Sequence, residues 1–125
     1  MEPAGPDGMP NDVLVVEDDP IIALDFEDTI LGFGVKTVRT AGSVARALAL
    51  IGERTPDFAL LDVGLIREKS FAVAERLEAL NIPFAFVTGY GAAGLPAGLA
   101  DKPRLSKPYA TDALLVLLTR NAVRR

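Results

Sequence analysis

Cysteine, histidine and tryptophan are all absent from the 125 residues. Without cysteine there is no disulfide framework, no thiolate zinc site and no thiol nucleophile. Without histidine the Ser–His and Cys–His nucleophile pairs are gone, and so is the commonest metal ligand. Any metal must then be held by oxygen, which selects hard cations such as Mg²⁺, Ca²⁺ or Mn²⁺. Basic charge is scarce too. Thirteen Lys and Arg against 17 Asp and Glu give a net charge of −4 and a pI near 4.8, so a nucleic-acid module with a basic face is not expected. Arg120, Arg124 and Arg125 suit the negative end of a final helix better than a phosphate backbone. No apolar run approaches the roughly 18 residues of a membrane span, and the first residues lack the basic-then-apolar order of a signal peptide. These exclusions leave a cytoplasmic single domain as the expectation, long enough to bury about two thirds of its unfolded surface.

What the chain does contain is short apolar runs alternating with amphipathic stretches. Residues 1–11, rich in Pro and Gly and without periodicity, read as a disordered tail, and residues 12–125 as the domain. Val13-Leu14-Val15-Val16 is a β-branched run suited to a central buried strand. It ends in Glu17-Asp18-Asp19-Pro20, where Asp19 can cap a helix that begins at Pro20. Ile22, Phe26 and Ile30 then recur every four residues until Gly32-Phe33-Gly34. Val35-Lys36-Thr37-Val38 alternates as an edge strand would, and Ser43 caps a second helix with Val44, Ala47, Leu48 and Ile51 inward. Residues 57–61 form a third strand, and the run Phe58-Ala59-Leu60-Leu61-Asp62 ends on a carboxylate. A third helix covers 69–80, with Phe71, Ala74, Leu77 and Leu80 inward; a fourth strand at 82–87 closes on Thr88-Gly89. The Gly- and Ala-rich residues 89–101, with Pro96, predict a short or frayed fourth helix. A weak strand at 103–106 is confined to an edge by its proline. The last helix runs from Tyr109 to about residue 123, striped by Leu114, Leu117 and Leu118.

Strict strand–helix alternation predicts an α/β fold: a flavodoxin-like, doubly wound five-stranded parallel sheet with helices on both faces. Right-handed crossovers and two-sided covering make the order 2-1-3-4-5 the natural solution. Ligands of such sheets bind at the carboxyl ends of the strands. There the first strand delivers Glu17 and Asp18, the third Asp62, the fourth Thr88 and the fifth Lys107. Three converging carboxylates repel one another unless a cation sits among them, and Mg²⁺ with one or two carboxylates, waters and a phosphate oxygen fits that set. A hydroxyl and an ammonium beside them suit an anion. Positioned donors and a metal are most of what phosphoryl transfer requires, and a carboxylate such as Asp62 can serve as its nucleophile.

The runs Val13-Leu14-Val15-Val16-Glu17-Asp18-Asp19-Pro20, Asp57-Phe58-Ala59-Leu60-Leu61-Asp62, Thr88-Gly89 and Ser106-Lys107-Pro108-Tyr109 together resemble a CheY-like response-regulator receiver domain over roughly residues 12–122. The resemblance implies that Asp62 is the phosphoacceptor, that Glu17 and Asp18 are the acid pair holding Mg²⁺, and that the Gly64 backbone carbonyl is a further ligand. It implies that Thr88 hydrogen-bonds the phosphoryl group and that Lys107 pairs with it. A histidine kinase or a histidine phosphotransfer protein would be the donor, in a two-component system or phosphorelay. The expected protein is a stand-alone, monomeric receiver signalling by protein contact, with self-dephosphorylation but no other enzymatic turnover. Two departures stand out. Asp62 is followed by Val63-Gly64-Leu65-Ile66-Arg67-Glu68 rather than the family's early Pro and Gly, and Arg104 occupies the place of the usual switch aromatic. Pro83-Phe84 with Phe86-Val87-Thr88-Gly89-Tyr90 resembles the "FAT GUY" subclass, in which Tyr90 is the candidate switch residue.

Other readings are weaker. Gly89-Tyr90-Gly91-Ala92-Ala93-Gly94 satisfies G-x-G-x-x-G, but the place about 20 residues on, where a dinucleotide site needs an acid, falls at Tyr109. A phosphohydrolase with an aspartyl nucleophile typically has a second acid two residues later, and here that residue is Gly64. An FMN carrier would not place an acidic loop after its first strand. The remaining alternative is a receiver-like adaptor that works without phosphorylation.

Overall fold

The computed structural model describes residues 9–63, 71–88, 103–106 and 109–121. Five parallel strands form one sheet in the order β2-β1-β3-β4-β5, as the alternation predicts. They are β1 (Asp12–Val16), β2 (Thr37–Ala41), β3 (Phe58–Asp62), β4 (Phe84–Thr88) and β5 (Arg104–Ser106). Among the described residues four helices accompany them: α1 (Pro20–Gly32), α2 (Val44–Glu53), α3 (Phe71–Ala79) and α4 (Thr111–Asn121). Between their polar ends the inner strands are wholly apolar because helices cover both faces, and successive side chains divide between two cores. Leu14, Val16, Leu61 and Phe86 pack with Ala47 and Ile51 of α2 and Ala74 and Leu77 of α3. Val13, Val15, Leu60 and Val87 pack with Phe26 and Ile30 of α1 and Leu114 and Leu118 of α4.

The α1 cap is Asp19, as expected: its Oδ1 accepts the backbone N–H groups of Ile21 at 2.9 Å and Ile22 at 3.3 Å. Pro20 occupies the first helical position, where no N–H is needed. Asp19→Ala should lower the unfolding free energy by about 1 kcal/mol, read as a shift in urea midpoint at constant slope. A shift too small to measure would mean that water satisfies those amides equally well.

Four local expectations are corrected. The second strand is Thr37–Ala41, two residues later than the alternation suggests. Gly34, at φ 105°, turns the chain after α1, and Val35 is buried in the loop beneath that helix rather than in the sheet. On α2 it is Leu50 that packs inward, while Leu48 is 37% exposed. The two leucines flank the Ala47–Ile51 stripe on opposite sides, and only one flank meets the sheet. Leu80 is likewise exposed, and Ile82 takes its place in the core. The reason is a left-handed residue, Asn81 at φ 59°, after which the Ile82 N–H returns to the Leu77 carbonyl at 2.9 Å. This reversal ends α3 and turns the next side chain inward. Finally, the packed chain begins before Asp12. Met9 is buried in the α1/α4 core, and the Asn11 carbonyl accepts the Thr37 N–H at 3.0 Å. Residues 1–8 of the expected tail, and the frayed helix expected at 89–101, lie outside the described residues.

At the amino edge of the sheet lies a polar network that local sequence does not reveal. Asp12, with its side chain 10% exposed, receives Arg39 Nε at 3.1 Å on one oxygen and Arg39 Nη2 at 3.0 Å and Arg54 Nε at 2.8 Å on the other. Arg39 also donates to the carbonyls of Leu50 at 2.8 Å and Arg54 at 2.7 Å. Asp57 Oδ2 accepts the N–H groups of Asn11 and Asp12 at 3.1 and 3.0 Å.

Candidate functional site

At the opposite, carboxyl edge the strand parity places two acids on the α1 side. Glu17 continues the alternation of Val13 and Val15, and Asp62 continues that of Phe58 and Leu60. Glu17 still belongs to the ladder through its N–H, which donates to the Ala41 carbonyl at 2.9 Å. Its Oε2 accepts the Asp19 N–H at 3.2 Å, so the side chain also shapes the turn into α1. Asp18, between Glu17 and the cap, is exposed. Since Asp19 alone caps α1, Asp18 serves no such local purpose. Carboxylate oxygens of Glu17, Asp18 and Asp62 all lie within 4.8 Å of one another, and Glu17 and Asp62 are buried.

Two like charges at that distance repel by roughly 3 kcal/mol at an effective dielectric constant of about 20, and by less where exposed Asp18 is one of the pair. A divalent cation removes the repulsion, and a hard, all-oxygen donor set half open to water is what Mg²⁺ takes. Glu17, Asp18 and Asp62 therefore fit that ion.

Thr88 ends β4, one position beyond Val87, which pairs with Asp62 in the ladder, and is itself opposite Ser106 of β5. The backbone thus brings Thr88 to the same edge. Gly64, Tyr90 and Lys107 lie outside the described residues. Arg104 opens β5 opposite Phe86 and is exposed. Phe84 and Phe86, the aromatics of the subclass motif, meet edge to face with ring centroids 5.7 Å apart.

Sequence reasoning places Tyr109 in the run Ser106-Lys107-Pro108-Tyr109 and at the start of the last helix, yet it precedes α4 and reaches across to α1. Its ring stacks on Phe26 with centroids 4.6 Å apart, and its hydroxyl donates to Asp25 Oδ2 at 2.6 Å. The signal available beforehand was slight: a tyrosine after Lys107-Pro108, and Asp25 and Thr29 four apart on one helix face.

The sequence profile of the response regulator receiver domain matches residues 13–119. The chain belongs to that family. This receiver is 31% identical to the phyllosphere-induced regulator PhyR of Methylorubrum extorquens over 104 residues, 76% of this chain and 39% of PhyR. It is 33% identical to the polar-differentiation response regulator DivK of Brucella anthropi over 90 residues, 69% of this chain and 72% of DivK. Among solved structures it is similar to the BeF3-activated conformation of SdrG from Pseudomonas melonis Fr1. The TM-score is 0.74 at 39% identity, over 87% of the receiver and 96% of SdrG. Receiver domains are phosphoacceptors rather than turnover enzymes, generally bind Mg²⁺ at an acidic pocket, and interact with histidine kinases or phosphotransfer proteins and with downstream targets. No helix among the described residues is long and apolar enough to cross a membrane.

Proposed function

We propose that this receiver is a single-domain response regulator that accepts a phosphoryl group on Asp62 from a histidine kinase or histidine phosphotransfer protein. The observation that carries the reading is the meeting of Glu17, Asp18 and Asp62 within 4.8 Å at the carboxyl edge of a chain in the receiver family. An oxygen of Asp62 forms a bond to phosphorus while the bond from phosphorus to the donor's histidine nitrogen breaks, its electron pair remaining on that nitrogen. Mg²⁺, when bound, neutralises the charge gathered on the transferred oxygens. Glu17, Asp18 and Asp62 would hold it, with the Gly64 backbone carbonyl as a further ligand. The Thr88 hydroxyl and the Lys107 ammonium bind the phosphoryl oxygens. Water later attacks phosphorus, the Asp62–phosphorus bond breaks, and inorganic phosphate leaves.

The receiver works alone in the cytoplasm as a monomer, and its output is a protein contact or onward phosphotransfer. The near-complete coverage of the solved SdrG chain supports the stand-alone reading. The Phe84–Phe86 pair supports membership of the FAT GUY subclass.

The test is intact-mass spectrometry after incubation with phosphoramidate, with and without Mg²⁺, on wild type and Asp62→Asn. One Mg²⁺-dependent phosphoryl adduct on the wild type and none on the variant is the expected result. No adduct on folded wild type, either from phosphoramidate or from a phosphorylated histidine phosphotransfer protein, would overturn the reading in favour of a phosphorylation-independent adaptor.

A further inference from the structure

Helix α1 is apolar on two sides, and its own chain covers only one of them. Ala23, Phe26 and Ile30 are buried against the sheet. Nearly opposite, Ile21 is 77% exposed, Leu24 56% and Leu31 41%, and the first two are the most exposed large apolar side chains among the described residues. Ile21, Leu24, Asp28 and Leu31 follow at intervals of three, four and three residues, which a helix gathers into one narrow line. A stripe of that width is the seam of a helix–helix contact, not the broad face that a globular core covers. The flank of α1 turned toward α4 is already occupied, since Asp25 and Thr29 meet the Tyr109 hydroxyl there. The stripe lies on the other flank.

Charge narrows the choice of occupant. Residues 20–32 hold Asp25, Glu27 and Asp28 and no Lys or Arg, and exposed Asp28 falls within the stripe itself. A second α1 laid against the first would set acid against acid, which is destabilising, whereas a lysine or arginine opposite Asp28 is matched. The length of the stripe matters as well. Because β1 and β2 are parallel, α1 runs back from the carboxyl edge toward the amino edge, and Leu31 lies about 15 Å along the helix from Ile21 at 1.5 Å per residue. A phosphoryl donor works at the acid end and has no need of Leu31.

We propose that the stripe Ile21-Leu24-Asp28-Leu31 is a docking seam for a basic amphipathic helix of another protein, one other than the phosphoryl donor. The partner helix lies along α1 with aliphatic side chains against Ile21, Leu24 and Leu31 and a lysine or arginine against Asp28. The seam needs no phosphoryl group on Asp62, so it stands apart from the phosphoacceptor reading.

The probes are two labelled helical peptides of about three heptads, with leucine along the seam and either lysine or glutamate at the position facing Asp28 and at its flanks. Fluorescence anisotropy follows their binding to the full chain at concentrations where the peptides are themselves monomeric. Wild type should prefer the lysine peptide. Leu24→Glu and Leu31→Glu, both at exposed positions that the fold does not depend on, should each weaken it by roughly tenfold to a hundredfold, the loss of one buried leucine contact. Asp28→Lys should weaken the lysine peptide and tighten the glutamate peptide by roughly fivefold each, the reach of one exposed ion pair. Equal binding of the two peptides, wild-type affinity in the leucine variants, or no binding of either peptide by folded wild type would overturn the proposal. Self-association of wild type in sedimentation, abolished by Leu24→Glu, would overturn it in favour of a second copy of the chain. Transfer to Asp62 from a phosphorylated histidine phosphotransfer protein should run at the wild-type rate in Leu31→Glu, and slowed transfer would overturn the proposal by assigning the stripe to the donor.

Discussion

Arg39→Met should lower the unfolding free energy of the receiver by about 3 kcal/mol, near the low end for breaking a buried ion pair by removing one partner. The substitution keeps most of the aliphatic stem and removes the guanidinium. Asp12 then keeps only Arg54, whose side chain is 60% exposed and so largely screened. The carbonyls of Leu50 and Arg54 lose their Arg39 donors as well. These contacts hold the end of α2 and the loop into β3 against the start of β1, so their loss loosens three elements at once. Urea unfolding followed by circular dichroism measures the effect. Asp12→Leu combined with Arg39→Met should recover much of the loss, because the damage in the single variant is an uncompensated buried charge rather than a missing attraction. A loss under about 1 kcal/mol for Arg39→Met would show that water screens Asp12 as it does a surface acid.

Removing divalent cations should have an effect of similar size at the other edge. Mg²⁺ that binds the folded receiver alone, at about a hundredfold its dissociation constant, adds about 2.7 kcal/mol to the unfolding free energy. Asp62→Asn should then respond with opposite signs in two buffers. With a chelator present it should be more stable than wild type by about 1 kcal/mol, because one charge has left a crowded cluster whose Asp18 member is exposed. With Mg²⁺ present it should gain much less than wild type, because a charged ligand is missing. Asp18→Ala should also lose most of the Mg²⁺ gain. Equal wild-type stability in the two buffers would sink the assignment of Glu17, Asp18 and Asp62 as a magnesium site.

The carboxyl edge was legible because each part of it is written locally. A strand shows as an apolar run, its end as the first polar residue, and Glu17, Asp18 and Asp62 stand where the runs stop. Strand order follows from the same runs, since strands apolar on both faces need helices on both sides and hence parallel crossovers. Helix faces were less legible at their margins. Leu48 and Leu50 satisfy the α2 stripe about equally from sequence, and the sheet covers only Leu50. Leu80 fits the period of α3, but the left-handed Asn81 ends the helix and sends Ile82 inward instead.

The sequence by itself determined the sheet, its order, and the arrival of the acids at one edge, because those follow from periodicity and from where apolar runs end. Tertiary structure alone decided which distant residues close on one another. Asp12 meets Arg39 across 27 residues, and Tyr109 meets Asp25 across 84. Neither pair has a local signature, since an arginine on an edge strand or an aspartate on an exposed helical turn is ordinarily a solvated charge. What turns each into a partner is the sheet, which brings β1 beside β2 in register and sets α1 and the start of α4 on the same face. There Asp12, removed from water, must find a donor, and the half-buried Tyr109 hydroxyl finds an acceptor in exposed Asp25.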